Sequence, residues 1–503
     1  DPVGGGSPGD NAYKAILGAM DNNGTETSSN YFNGWMEEFR IWDIALTEDQ
    51  LHLMMNQRII QVGTNKVEGE IIPLNIPNLD WNNLIGYYRM DNIGCGNLVP
   101  HEDIGVTGKL KNITSSQTRT APLPYIATGG DWWNKNSWKE SQVWDPPNST
   151  GVNDEKIDWN IARLDGETLN NPATSDNSIN LLGLLDEGGI LTMEGSNNSN
   201  GNALTITHYL KLDGHIDLNG ESQLVQTEGS ILEGSGYLTR DQQGTASSYN
   251  YNYWSSPVVS NTGNQSYTIA SVMHDGTDEI PKKLDIGPTG FVTYADGGFT
   301  VPRKISGRWL YKFRGDANQY SEWEYVGKDG TLLAGEGYTM KGTSGNADIK
   351  DLQNYTFRGF PNNGPISLSV AKDQNYLLGN PYPSAIDAKK FILDNLSSSD
   401  VNGATNTENI FNGALYFWDH FGGQTHILRE YVGGYATINL SGAVQSASSI
   451  DERINNNNAP GTKTPGSFIP VGQGFFVNTV LDPSLADDLT ISGGDINFNN
   501  GQR

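Results

Sequence analysis

One cysteine in 503 residues, Cys95, has no partner for a disulfide within this chain. A disulfide-stapled scaffold is therefore excluded, while an exported protein is not. No run approaches the roughly 20 apolar residues that a spanning helix requires, so no transmembrane segment is expected. Positive charge is also scarce: 32 Lys and Arg stand against 58 Asp and Glu, a formal net charge of −26. Such a surface repels nucleic acid and anionic membranes, and its natural charged partners are cations. Missing too are an H-E-x-x-H helix and a phosphate loop: after GEGYTM and GQGFF no Lys-Ser/Thr follows. What the chain does have is 60 glycines, 22 prolines and 10% aromatic residues, a composition suited to turn-rich β modules. Its length exceeds one core and predicts three or four domains. It opens DPVGGGSPGD with neither Met nor a signal peptide, and reads as a fragment whose targeting segments lie elsewhere.

The stretch YFNGWMEEFRIWDIALTEDQL, residues 31 to 51, is the most informative near the start. Period-two alternation puts Trp35, Phe39 and Ile41 on one face, and Met36, Glu38, Arg40 and Trp42 on the other. This predicts a strand across about 36–42 with Phe39 and Ile41 buried. Thr47 and Gln50 form a capping box ahead of Leu51, Met54 and Met55, which predicts a helix across about 47–56. Lys14 to Gly18, LIGYYRM at 84 to 90 and GKLKNI at 108 to 113 read as further strands. Residues 116 to 128 read as a linker.

The pattern KAILG, polar loop, YFNGWMEEFRIWDIALTEDQ resembles the end of a laminin-G-like (concanavalin-A-like) jelly roll. LIGYYRMDN through GKLKN resembles the unit often paired with it. The resemblance covers about the first quarter of the chain and implies a partial jelly-roll sandwich over residues 1–125. Related glucanases carry E-x-D-x-x-E; here Glu37, Glu38 and Asp43 stand instead. Glu38 and Arg40, on one face two residues apart, are expected to pair with each other rather than to catalyse. Calcium is the one cofactor the resemblance implies. Asp21, Asn22 and Asn23 form an oxygen-rich loop that would serve as its metal site, although three residues cannot supply six to eight oxygens.

Residues 129–245 form a second region. It opens with Trp132, Trp133, Trp138 and Trp144, which read as a sugar-stacking platform or, in preference, as the cap of an elongated core. In LTITHYLKLDGHIDLNG, Leu210-x-Leu212-x-Gly214 recurs six residues later as Ile216-x-Leu218-x-Gly220. Alternating Leu and Ile with periodic Gly corners predict a short β-solenoid of short strands stacked in rungs.

The remainder carries a divergent internal repeat. NYWSSP matches YLLGNP, WLYKF around Tyr311 matches ALYFW around Tyr416, and EYVG at 324 to 327 recurs at 430 to 433. AGEGYTM at 334 to 340 matches VGQGFFV at 471 to 477. The order is kept while the spacers change, as for equivalent strands joined by unequal loops. Two β-sandwich units, 246–372 and 373–503, are expected, with Glu324 equivalent to Glu430 and Gly335 to Gly472. His420 and His426, in WDHFGGQTH beside Asp419, lack further ligands at metal spacing and read as a hairpin loop.

YNYWSSPV, NPYPSAID, LYFWDH, EYVGGYATINLSG and IPVGQGFFV resemble a module of very large surface proteins of Bacteroidetes-type bacteria. These are exported by the type IX secretion system, and gliding-motility adhesins are among them. The resemblance covers roughly residues 130 to 503. It implies an extracellular, cell-surface, non-enzymatic adhesin or stalk, all-β and multi-domain, with glycans or solid surfaces and the type IX machinery as partners. An accessory segment of a secreted polysaccharide-degrading enzyme and a purely mechanical spacer are the alternatives.

Overall fold

The computed structural model describes residues 16–22, 25–91, 93–94, 96–111, 124–173, 177–196, 200–278, 280–287, 302–316, 319–343, 347–446, 461, 463–480 and 490–503, without side chains at 21–28 and 320. The fold is all-β: strands take up 44% of the chain and helices 9%, and the eight-residue helix Glu48–Met55 is long by its standards. Among the described residues no helix is long and apolar enough to cross a membrane. The chain divides into two compact units. One holds residues 1–50, 61–67 and 76–121; the other holds 51–60, 68–75 and 122–503.

In the first unit, strand Phe39–Trp42 pairs antiparallel with Leu84–Tyr88. The strand starts three residues later than the alternation predicts, because Glu38 takes a left-handed φ of 55° that no strand continues through. Ile41 is 37% exposed, correcting the expectation that it is buried, and Phe39 is half-buried. On the partner strand Tyr87 and Tyr88 are both buried, one on each face of the pair. The expected capping box is present: Thr47 N donates to Gln50 Oε1 (2.9 Å) and Gln50 N to Thr47 Oγ1 (3.2 Å).

Within the second unit, parallel strands stack into a β-solenoid of about six turns. Strands Ile161–Leu164, Ile179–Asp186 and Ala203–Leu212 build one wall. Thr168–Asn171, Ile190–Met193, His215–Leu218 and Tyr237–Thr245 build the other. Inward positions line up in ladders: Ala162, Leu184 and Leu210 on the first wall, and Leu169, Leu191, Ile216 and Leu238 on the second, all fully buried. Each such aliphatic side chain contributes roughly 1.5–3 kcal/mol by leaving water. The six-residue echo in the sequence is not the stacking interval. Leu210-x-Leu212 and Ile216-x-Leu218 are consecutive sides of one rung, separated by the corner at Gly214. Stacked positions are Ile161, Gly183, Tyr209 and Ile231, roughly two dozen residues apart.

Both solenoid ends are closed. Trp132 and Trp138 plug the first, edge to face at 4.8 Å, with Trp138 Nε1 donating to Trp132 O; Trp133 is half-buried and Trp144 exposed. At the other end, strand Tyr237–Thr245 pairs antiparallel with Leu352–Pro361 over eight residue pairs. That reversal stops parallel growth and removes an open edge.

Beyond it, strands of both repeat copies join a seven-stranded sheet. Its order is Trp323–Tyr325, Tyr311–Gly315, Asn375–Gly379, Gly474–Asn478, Ala414–Gly422, Val432–Asn439, Gly442–Val444. The repeat is visible in the pairing register. Trp254 faces Tyr338 in one copy, and the matching Leu378 faces Phe475 in the other. Gly335 and Gly472 both take left-handed φ, +89° and +65°. The copies also bond reciprocally: Ser255 N donates to Gly472 O (2.7 Å), and its counterpart Gly379 N donates to Gly335 O (3.0 Å). Tyr311 N reaches Thr339 Oγ1 just as Tyr416 bridges Phe476, the residue matching Thr339. The EYVG blocks break the pattern. Glu324 lies on a strand opposite Lys312, whereas Glu430 ends a short 3-10 turn, so the two glutamates are not equivalent.

Candidate functional site

In the first unit, Glu38 does what its spacing predicts. Its Oε2 receives Arg40 Nη2 at 2.7 Å and the Tyr87 hydroxyl at 2.7 Å, and Arg89 Nε donates to that hydroxyl. A carboxylate so engaged is a structural brace. Asp21 and Asn22 lie on a short strand, Met20–Asn22, paired with Thr25–Ser29. Their side chains, and Asn23 altogether, fall outside the described residues. Among the described residues no group of three or more His, Cys, Asp or Glu is placed to hold a metal ion.

The densest chemistry lies where the two repeat copies meet. On strand Tyr251–Trp254, Trp254 points into the solenoid-side core while Tyr251 and Tyr253 point the other way. Opposite Tyr251 stands Lys341, 2% exposed. Its ammonium lies 3.9 Å from the centre of the Trp309 ring, 4.6 Å from that of Tyr251 and 4.9 Å from that of Tyr431. It also bonds the Tyr431 hydroxyl and sits 3.1 Å from His426 Nδ1. Three ring faces replace the hydration a buried ammonium loses. His426 stacks on Trp309 at 5.0 Å, so it is packed rather than looped into solvent.

From this box the rings continue across the sheet. Tyr431 meets His420 at 5.0 Å, and His420 meets Trp418, two residues back on its strand. Trp418 stacks on Tyr253 at 6.2 Å and 16°, and packs against Tyr435 at 5.3 Å. Tyr253 then meets Trp323. Phe313, Leu377 and Phe476 form the floor under Tyr253, Trp323, Tyr416 and Tyr435, all four half-buried. Burial pulls the His420 imidazole down to about 4, with the Lys341 charge adding to the effect, so the ring is neutral near pH 7. Two buried nitrogens among these rings, Trp418 Nε1 and His420 Nδ1, have no hydrogen-bond partner among the described residues.

A second polar row runs over the outer face of the solenoid. Thr239 Oγ1 donates to Asp217 Oδ1 (2.5 Å) and lies 2.7 Å from His215 Nε2. His215 stacks on Tyr237 at 4.3 Å, and the Arg358 guanidinium lies 4.1 Å from that ring's centre. Burial raises Asp217 to about 6 and lowers His215 to about 4. Every group here is consumed by its neighbours in the ladder, which marks it as scaffold.

Sequence reasoning singled out the aromatic blocks as thin-core strands but did not see that they converge. The signal was there: Tyr251-x-Tyr253 and Trp418-x-His420 repeat at period two, so each pair shares one face. Lys341 carried no signal. A family model described as a domain of unknown function (DUF8693) matches residues 299–503, which include Trp309, Lys341, Trp418 and Tyr431. No curated protein matches the chain, and no solved structure does.

Proposed function

We propose that this chain is a non-enzymatic segment of a bacterial cell-surface adhesin or stalk, extracellular and exported through the type IX machinery, with glycans or solid surfaces as its partners. One observation carries the reading. A single apolar cluster runs from Trp132 and Trp138 through the solenoid ladders into Trp254, Tyr338, Tyr355 and Phe357 of the first repeat copy. A rod and a display module sharing one core have no hinge between them, as a load-bearing surface element needs. The carboxylate weighed for catalysis fits the same reading: Glu38 is braced by Arg40. Calcium at Asp21, Asn22 and Asn23 belongs to the proposal through the −26 charge, and a melting curve unchanged by excess chelator would remove it. The test of the whole is surface labelling of intact cells of the source organism with an antibody raised against residues 122–503. Signal expected on unpermeabilised cells, and found only after lysis, would sink the reading.

A further inference from the structure

A cleft of about 160 Å³ opens where the solenoid strand Ile231–Glu233 meets the strand ends at Val259, Pro361 and Ile366. Asn362, directly after strand Leu352–Pro361, lines it and is 6% exposed. Its Nδ2 donates to Ser256 O (3.1 Å) and Pro381 O (2.8 Å), one carbonyl from each repeat copy. The amide cannot turn over, because Oδ1 would then face two acceptors. Oδ1 thus has no hydrogen-bond partner among the described residues and, unlike Trp418 Nε1, is not sealed from solvent. Asn264 and Gln265 stand exposed at the rim, and their side chains bond nothing among the described residues. Asn363 is spent: Nδ2 donates to Ser230 O and Oδ1 accepts from Asn500 Nδ2. The wall between is apolar, with Val259, Phe360 and Ile366, and no lining residue is charged.

These features select a ligand class. A deeply set acceptor requires an O–H or N–H donor, and the apolar wall requires C–H surface. An anion is opposed by the chain charge of −26, and a cation would find no carboxylate in the lining. The volume suits one six-membered ring, since a dry cavity of about 150 Å³ takes up benzene. Rim amides that both donate and accept match neighbouring hydroxyls, which do the same. A single neutral pyranose meets every condition.

We propose that this cleft binds one uncharged pyranose residue, with a hydroxyl donating to Asn362 Oδ1 and its neighbours held by Asn264 and Gln265. The proposal rests on the adhesin reading for the source of that sugar, the terminal residue of a glycan. It is tested on purified protein, so its failure leaves the surface-labelling test standing.

The experiment is saturation-transfer NMR of the full 503-residue chain with the methyl glycosides of glucose, galactose, mannose and N-acetylglucosamine. Glucuronate and phenol are the controls. Transfer is expected to at least one neutral pyranoside and not to glucuronate. Asn264→Trp, which fills the mouth from an exposed position, should abolish it with unchanged melting. Gln265→Ala should raise the Kd by about 2- to 10-fold, the scale of one neutral hydrogen bond. Among the monodeoxy forms of the bound sugar, one should bind about 5- to 100-fold more weakly, because the Asn362 oxygen is then covered and unmet. Transfer to no neutral pyranoside, transfer that survives Asn264→Trp, or equal binding by every monodeoxy form would each overturn the site. So would binding of phenol alone, since an aromatic side chain of a partner protein would then be the occupant.

Discussion

Asp186 stands where Leu164 and Leu212 stand in the rungs on either side, pointing into the solenoid. Its Oδ1 accepts Gly189 N at 2.8 Å, while Oδ2 is buried without a partner. Burial raises its pKa from 3.8 to about 7, against the pull of the Gly189 and His215 backbone N–H groups and with some help from Asp213. The folded state therefore holds this proton over a range where the unfolded chain releases it. Stability from this group is complete below about pH 4 and is lost as pH rises through about 7. Asp186→Asn keeps an oxygen for Gly189 and cannot ionise. Relative to the parent it should gain stability between pH 5 and 8, by on the order of 2–4 kcal/mol at the upper end. Melting curves across that range check it, and parallel curves for the two proteins would contradict it. His215 and His420, both lowered to about 4, act in the opposite sense in both proteins and cancel in the comparison. None of this was legible in LLDEGG, where an Asp before two glycines reads as a solvated turn. Lys341 was hidden likewise: in YTMKGT it reads as a strand-end lysine, and only four distant segments make its box.

Among the elements, those set by local chemistry were legible. The capping box of helix Glu48–Met55 and strand Leu84–Tyr88 follow from neighbours in sequence. Strand Phe39–Trp42 was overdrawn because nothing in the alternation announces the left-handed Glu38. The solenoid was recognisable from its Leu ladders, but its interval was not, since one rung shows the same alternation twice around a corner. The Gly-x-Gly arches before Tyr338 and Phe475 both turn at a left-handed first glycine. At Gly335 a Cβ would meet Leu368 and Phe498 at 3.0–3.1 Å; at Gly472 it would meet Phe357 at 3.0 Å. Gly335→Ala and Gly472→Ala should each cost about 1–3 kcal/mol, from backbone strain plus displaced packing. Urea titration should show a lower midpoint with an unchanged slope for both variants. A loss at one arch alone would mean the two arches are not structurally matched.

At the scale of the molecule, the shared core makes a claim about cooperativity. Leu210→Ala empties a fully buried ladder position and should cost about 2–5 kcal/mol. Because Leu210 and Phe357 belong to one cluster, that loss should lower the melting of the first repeat copy along with the solenoid. Tyr355 and Trp254, near the joint, provide the probe: calorimetry and near-ultraviolet dichroism should shift together. A tryptophan signal that melts at the parent temperature while the solenoid melts early would divide the core. The chain end adds a second fastening. The Arg503 guanidinium donates to Leu224 O in the solenoid at 2.5 Å and to Ser384 Oγ in the second copy at 2.9 Å. It also lies 4.9 Å from the centre of the Tyr382 ring. No sequence pattern marks a terminal arginine for such a place.

The crossed bond between the copies sets a clock. Ser255 N has its acceptor on Gly472, which is made 472 − 255 = 217 residues later. At about 5–20 residues per second, that acceptor emerges about 10–40 s after its donor. For all that time the strand ending at Trp254 has a vacant edge, longer than a hairpin takes to form by many orders of magnitude. The first copy can pair its own strands, Tyr251–Trp254 with Tyr338–Lys341, but this last bond closes only when its twin arrives.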